Sequence, residues 1–194
     1  MPVNNEITLK PFRQTPGFCG QACIKMLVDH YDVGVSSEQG IAEISLATRE
    51  TGTSLKGIIR AANYFNLQVF VKDSSKIADL RYFIDRGIPI IVNWFQEDDG
   101  HYSIAVGLDE EKIVIIDPGD DHHRKEMAIN LFLGIWFDYV GDYPYRKNSF
   151  ILRRMIALTP FGESFPIKGG KILAKAPKPQ NGEKRRFNGL LKLP

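Results

Sequence analysis

The chain has 194 residues, 43% hydrophobic and 25% charged, enough for one domain with a buried core and too balanced for a disordered or fibrous protein. No apolar run reaches membrane-spanning length, and the N-terminal Met-Pro-Val-Asn-Asn-Glu lacks the basic-then-apolar pattern of a secretory signal, so the expected location is the cytoplasm. The net charge of +2 hides a polarity, because residues 161–194 carry eight Lys or Arg against two Glu; the two cysteines are too few for a disulfide framework or a cysteine-built zinc site.

Residues 1–18 read as an irregular arm broken by Pro2, Pro11 and Pro16. Residues 19–31 follow helical spacing through Ala22, Cys23, Met26 and Leu27, and Asp32-Val33-Gly34 ends that run. Ser36 or Ser37 predicts the cap of a second helix reaching about Leu46. Thr53 or Ser54 predicts the cap of a third, with Leu55, Ile58, Ile59, Ala62 and Phe65 on one face and Asn66 closing it. Residues 67–71 are strand-like, and Ser75 predicts the cap of a helix over 76–85 stopped by Gly87.

The β-branched run from Ile88 to Phe95 reads as a central strand. A polar loop at 96–100, a return strand from His101 to Gly107 and a third strand from Lys112 to Asp117 follow. Residues 117–124 read as a loop, Met127 to Tyr139 as an amphipathic helix, and Phe150 to Leu158 as a last strand with Arg153-Arg154 at its exposed side. Helices first and hairpin-linked strands later predict an α+β fold, with N-terminal helices packed on an antiparallel sheet. From Pro160 onward Gly, Pro and Lys dominate, so the expected organisation is a domain over 1–160 and a basic, flexible tail over 161–194. Such a tail could meet nucleic acid or an acidic surface, although a solvated tail is the simpler reading.

Cys19 opens the first helix, where amide groups are unpaired and the helix dipole favours a thiolate. Gly20 beside it would leave room for a substrate to approach the backbone. The plainer alternative is a buried structural thiol, which is the reading for Cys23 one turn later. His101 starts a strand next to a polar loop and suits the role of a thiol's base. Asp117 ends the following strand, and a hairpin would bring it beside His101 to fix the tautomer. Gln14 carries an amide able to donate to an oxyanion together with the cysteine's own N–H. Trp94 and Tyr102 flank His101 and could line a substrate cleft. Asp120-Asp121-His122-His123 reads as a solvated loop, and neither a metal nor an organic cofactor is expected.

The segment Q-T-P-G-F-C-G-Q-A-C-I-K-M-L resembles the nucleophile motif of the papain-like bacteriocin-processing peptidases, the double-glycine leader peptidases. G-I-P-I-I-V-N-W, G-H-Y-S-I-A-V-G-L and I-V-I-I-D-P-G are similar to that family's histidine and aspartate strands. The resemblance implies a papain-like fold, Cys19 as nucleophile, His101 as general base and acid, Asp117 as its orienter and Gln14 as oxyanion donor. It implies a cysteine peptidase acting on a peptide or isopeptide bond of a peptide or protein substrate. The best-known members are transporter domains, and this chain is expected to be a stand-alone member without a transporter. An acyl or peptidyl transferase on the same scaffold, or an inactive peptide-binding module, are the alternatives. Gly169-Gly170 also raises self-processing, which would leave a product ending at Gly170.

Overall fold

The first helix, α1 (Cys19–Tyr31), is entered through a tight turn in which Phe18 N–H donates to Thr15 C=O at 2.9 Å. Gly17 sits in that turn at φ +84°, and a Cβ there would lie 2.3 Å from the Arg49 carbonyl oxygen, so only glycine fits. Asp32 ends the helix in the left-handed region. The structure is a computed structural model that describes residues 5–97, 99–140, 146, 149–160, 162 and 164–175.

Helix α2 (Glu38–Ser45) begins where Ser37 Oγ accepts from Gly40 N–H at 3.0 Å, and α3 (Leu55–Tyr64) where Ser54 Oγ accepts from Gly57 N–H at 3.2 Å. Both are the serine caps expected from the sequence. Helix α4 (Ile77–Ile84) differs. Ser75 Oγ donates back to Lys72 C=O, and the cap position falls on Lys76, whose N–H donates to the Asp79 carboxylate at 2.7 Å.

Among the described residues, seven strands form one sheet in the order β5 (Arg124–Ala128), β4 (Lys112–Ile116), β3 (Asp99–Leu108), β2 (Ile90–Gln96), β8 (Met155–Thr159), β1 (Gln68–Lys72) and β9 (Lys171–Ala174). Every neighbouring pair is antiparallel. Helix α1 lies against β3, α3 against β1 and β9, and α4 against β2 and β3. Strand β8 slots between β2 and β1 and is buried along its whole length, as its sequence Met-Ile-Ala-Leu-Thr requires of a strand covered on both faces.

Three expectations are corrected. The helix expected over 127–139 is a strand, β5, then a short helix α5 (Ile129–Ile135), then a strand β6 (Phe137–Tyr139) paired with β7 (Phe150–Leu152). The backbone of 124–128 pairs with β4, which outweighs its weak helical pattern. Phe132 and Trp136 keep their helical contact, stacked at 4.9 Å, and Trp136 Nε1 donates to Arg154 C=O at 2.9 Å.

The strand expected over 150–158 is broken at Arg153, which adopts φ +49°. Arg154 does not face solvent on a strand edge; its guanidinium pairs with both carboxylate oxygens of Asp73 at 2.7 and 2.8 Å. Finally, the sheet runs past the boundary expected at 160, because β9 pairs with β1. Gly169 (φ +85°) and Gly170 form the turn into β9, and a Cβ on Gly170 would stand 1.9 Å from the Phe70 ring. The Lys and Arg residues beyond 175, and Pro2, lie outside the described residues. No helix among the described residues is long and apolar enough to cross a membrane.

Candidate active site

Strand alternation assembles the site. Trp94 is paired with His101 across β2 and β3, so both side chains stand on one face. Ile104 pairs with Ile116, which brings Asp117, one step past β4, opposite Ser103 on that same face. His101 and Asp117 are then diagonal neighbours, the arrangement in which side chains reach across strands. His101 Nε2 and Asp117 Oδ1 meet at 2.6 Å. Trp94 Nε1 donates to Ser103 Oγ at 3.0 Å, and its ring meets the imidazole edge-on at 5.7 Å between centroids.

The β3–β4 ladder begins at Ile104 and leaves the Tyr102 carbonyl outside it. Helix α1 fills that notch: Cys23 Sγ donates to Tyr102 C=O at 3.5 Å. Cys19, one turn earlier and half-buried, stands near enough to His101 to act on the charge of its imidazole. Phe18 at the cap offers no side-chain hydrogen bond, so the first amides of α1 stay open beside the sulfur. Cys23 is wholly buried, and burial pushes its thiol well up, with Cys19 adding to the effect. It belongs to the core, as expected.

Burial opposes a charge on His101, but the Asp117 hydrogen bond, the neighbouring Cys19 and the Asp117 charge raise it to about 9. The ring is therefore protonated at neutral pH. Asp117 is fully buried, with 0% exposure. Burial alone would favour its neutral form, yet the His101 bond and charge, the Lys125 bond and the Gly119 amide hold the carboxyl well below its usual range.

Gln14 joins the group through its backbone, its N–H donating to Pro118 C=O at 3.0 Å. A Cβ on Gly119 would lie 3.4 Å from Asp117 Oδ1, 3.4 Å from His101 Cε1 and 3.6 Å from Gln14 Oε1, so all three side chains converge on this turn. Gln14 Oε1 is buried without a hydrogen-bond partner. The structure thus brings together Cys19, His101, Asp117 and Gln14.

The other candidates sit differently. Trp94 and Tyr102 are buried, at 5% and 9% exposure. Trp94 supports the imidazole from behind. Tyr102 points to the opposite face, where burial, then the nearby Cys19, raise its hydroxyl. At Gly20 the missing side chain makes room for Thr53, whose Cβ and Oγ1 would lie 2.6 Å from any added Cβ, and not for an open approach. Gly100, before His101, clears the Asp138 carboxylate, which a Cβ would meet at 2.1 Å.

Two residues escaped the sequence reading. Lys125, on β5, places Nζ 2.6 Å from Asp117 Oδ2. Its signal was the alternation of Arg124–Ala128, too short and too charged to distinguish from a loop. Glu38, at the start of α2, accepts the Thr15 N–H at 3.0 Å and so anchors the residue after Gln14. Only the tertiary fold shows that contact. His122 and His123 line a shallow depression of about 290 Å³ with Glu6 and Arg124. Among the described residues no group of three or more His, Cys, Asp or Glu is arranged to hold a metal ion.

The sequence model of the peptidase C39 family matches residues 14–140. A comparison with curated proteins finds no match. Among solved structures, the peptidase domain of Streptococcus ComA, a bifunctional ABC transporter of a quorum-sensing pathway, is similar with a TM-score of 0.59 at 20% identity, covering 79% of this chain and 98% of that one. A double-glycine-motif protease from an AMS/PCAT transporter, in complex with its leader peptide, has a TM-score of 0.59 at 14% identity, covering 81% and 95%. A C39-like peptidase from Bacillus anthracis has a TM-score of 0.58 at 13% identity, covering 81% and 96%. The fold is the papain-like α+β arrangement of these peptidase domains, with helices packed on an antiparallel sheet.

Proposed function

The chain belongs to the peptidase C39 family of cysteine peptidases, and from that premise we propose that it hydrolyses a peptide bond with Cys19 as nucleophile, His101 as general acid and base, Asp117 as the orienting carboxylate and Gln14 as an oxyanion donor. The observation that carries the reading is the His101–Asp117 pair at 2.6 Å with Cys19, at the start of α1, acting on the same imidazole. The remaining family-level inference, a peptide substrate, draws support from the neighbour bound to its leader peptide.

The steps follow from the protonation state. His101 carries a proton at neutral pH. That proton is the one Cys19 has given up, and the resulting sulfur anion attacks the scissile carbonyl carbon while the carbonyl electron pair moves onto oxygen. The Cys19 N–H at the open end of α1 and the Gln14 carboxamide donate to that oxyanion. As the tetrahedral species collapses, His101 gives its proton to the departing amine, and the C–N bond breaks. The acyl group remains on Cys19 as a thioester. Water then attacks, His101 takes a proton from it, and the C–S bond breaks to release the carboxylic acid. Asp117 keeps Nε2 occupied throughout, so that the other ring nitrogen serves the sulfur.

The test is alkylation by iodoacetamide near pH 7, read residue by residue by mass spectrometry, alongside cleavage of a peptide library. Labelling should concentrate on Cys19, vanish in Cys19→Ala and slow markedly in His101→Ala, with cleavage lost in both. Equal labelling of the Cys19→Ala protein would overturn the assignment.

A further inference from the structure

Asp117 has two cations on it, and only one of them is accounted for by the chemistry above. Its carboxylate is fully buried and needs a donor for each oxygen. Oδ1 accepts from His101 Nε2 at 2.6 Å and from Gly119 N–H at 2.9 Å. Oδ2 accepts from Lys125 Nζ at 2.6 Å. We propose that Lys125 is a positioning residue of the site: its ammonium takes Asp117 Oδ2, so that Oδ1 stays on the imidazole and the carboxylate's charge is divided between two cations. This rests on the reading of His101 and Asp117 just given.

Lys125 is not a mobile rim lysine. Its side chain is 28% exposed, and its backbone is paired opposite Ile115, which sets it on the face that carries Asp117, His101 and Trp94. Its ammonium also meets Asp120 Oδ2 at 3.2 Å and lies over the Trp94 ring at 5.9 Å. That ring is the one packed edge-on to His101. Lys125, Trp94, His101 and Asp117 therefore form a closed circuit of contacts. Without Lys125, Oδ2 would be a buried acceptor with no donor, and the carboxylate could turn to share both oxygens with the imidazole.

The charged and titratable groups around the imidazole are Cys19 from α1, Asp117 at the end of β4, Lys125 from β5 and Asp120 from the following turn. Removing the Lys125 cation leaves the full Asp117 charge on His101, so the imidazolium should hold its proton to higher pH.

The experiment is an NMR titration of the imidazole Cε1–H resonances of the full chain, which has only four histidines. His101 is assigned by the loss of its signal in His101→Gln. In Lys125→Met its midpoint should rise by about half a pH unit or more, while Lys125→Arg stays near the wild type. In Asp117→Asn the midpoint should fall, and adding Lys125→Met there should change it little. An unchanged or lowered midpoint in Lys125→Met overturns the proposal. So does an equal rise in the Asp117→Asn background, since Lys125 would then act on the ring directly. Lys125→Gln supplies the same reading if Lys125→Met does not fold. The titration does not depend on Cys19 reacting, so failure of Cys19 labelling sinks the catalytic reading and leaves this result separately legible.

Discussion

Cys19, His101, Asp117 and Gln14 come from four segments, and each is held by a different device. Helix geometry holds the sulfur, strand alternation the imidazole, a hairpin register the carboxylate, and two backbone hydrogen bonds the Gln14–Thr15 step. Loss of the Gln14 amide should reduce kcat by about 10²- to 10³-fold, the usual effect of removing one oxyanion donor, with KM little changed. Steady-state kinetics of Gln14→Ala on a cleaved peptide measures this. Because His101 is raised to about 9 and its proton goes to the departing amine, kcat for peptide cleavage should fall on the alkaline side near that pH. In Asp117→Asn the hydrogen bond and charge that raise the imidazole are weakened, so the limb should move to lower pH. A pH–rate series on a cleaved peptide reads both.

The helices and strands around the site are set by close contacts that tolerate little change. At Gly20 an added Cβ would meet Thr53 at 2.6 Å, and Thr53 Oγ1 itself donates to the buried Gln21 carboxamide at 2.6 Å. Gly20→Ala should therefore cost about 1–3 kcal/mol through overpacking and tilt the start of α1. Chemical denaturation reads the stability, and Cys19 labelling reads the tilt. Trp136 gives a second test of the packing. It is fully buried, stacks on Phe132 and donates to Arg154, so Trp136→Ala should cost about 3–5 kcal/mol.

Charge balance sets the behaviour of the whole molecule with pH. His101 is raised in the folded protein, so its contribution to stability is complete below about pH 6.5, the unfolded value, and is lost as pH rises through about 9. Asp117 is lowered, so its contribution is present above about pH 3.9 and is lost as pH falls toward its folded value. The pair thus stabilises the fold between these limits. The difference in Tm between the wild type and His101→Gln should be largest between about pH 4 and 6.5, shrink as pH rises toward 9 and be small above it, as differential scanning calorimetry would show. The double glycine is built into the same architecture: Gly170 packs on Phe70 in the turn that leads to β9. Cleavage there would detach β9 from the sheet, so the intact mass of the purified chain should show no product ending at Gly170.

The amino-acid sequence by itself determined most of the local elements and supplied the candidate set that the proposed chemistry uses. Apolar periodicity and serine caps marked α1, α2 and α3, and a cysteine opening a helix, a histidine opening a strand and an aspartate closing the next were readable as chemistry because short-range spacing encodes them. Only the tertiary structure decided the rest. Residues 124–128 became a strand because β4 offered an unpaired edge, and 171–174 joined the sheet because β1 offered another. Lys125, Glu38 and Thr53 entered the site through contacts spanning 8, 23 and 32 residues of sequence. No local pattern records such a contact, because the backbone register that creates it is set only when the whole sheet has formed.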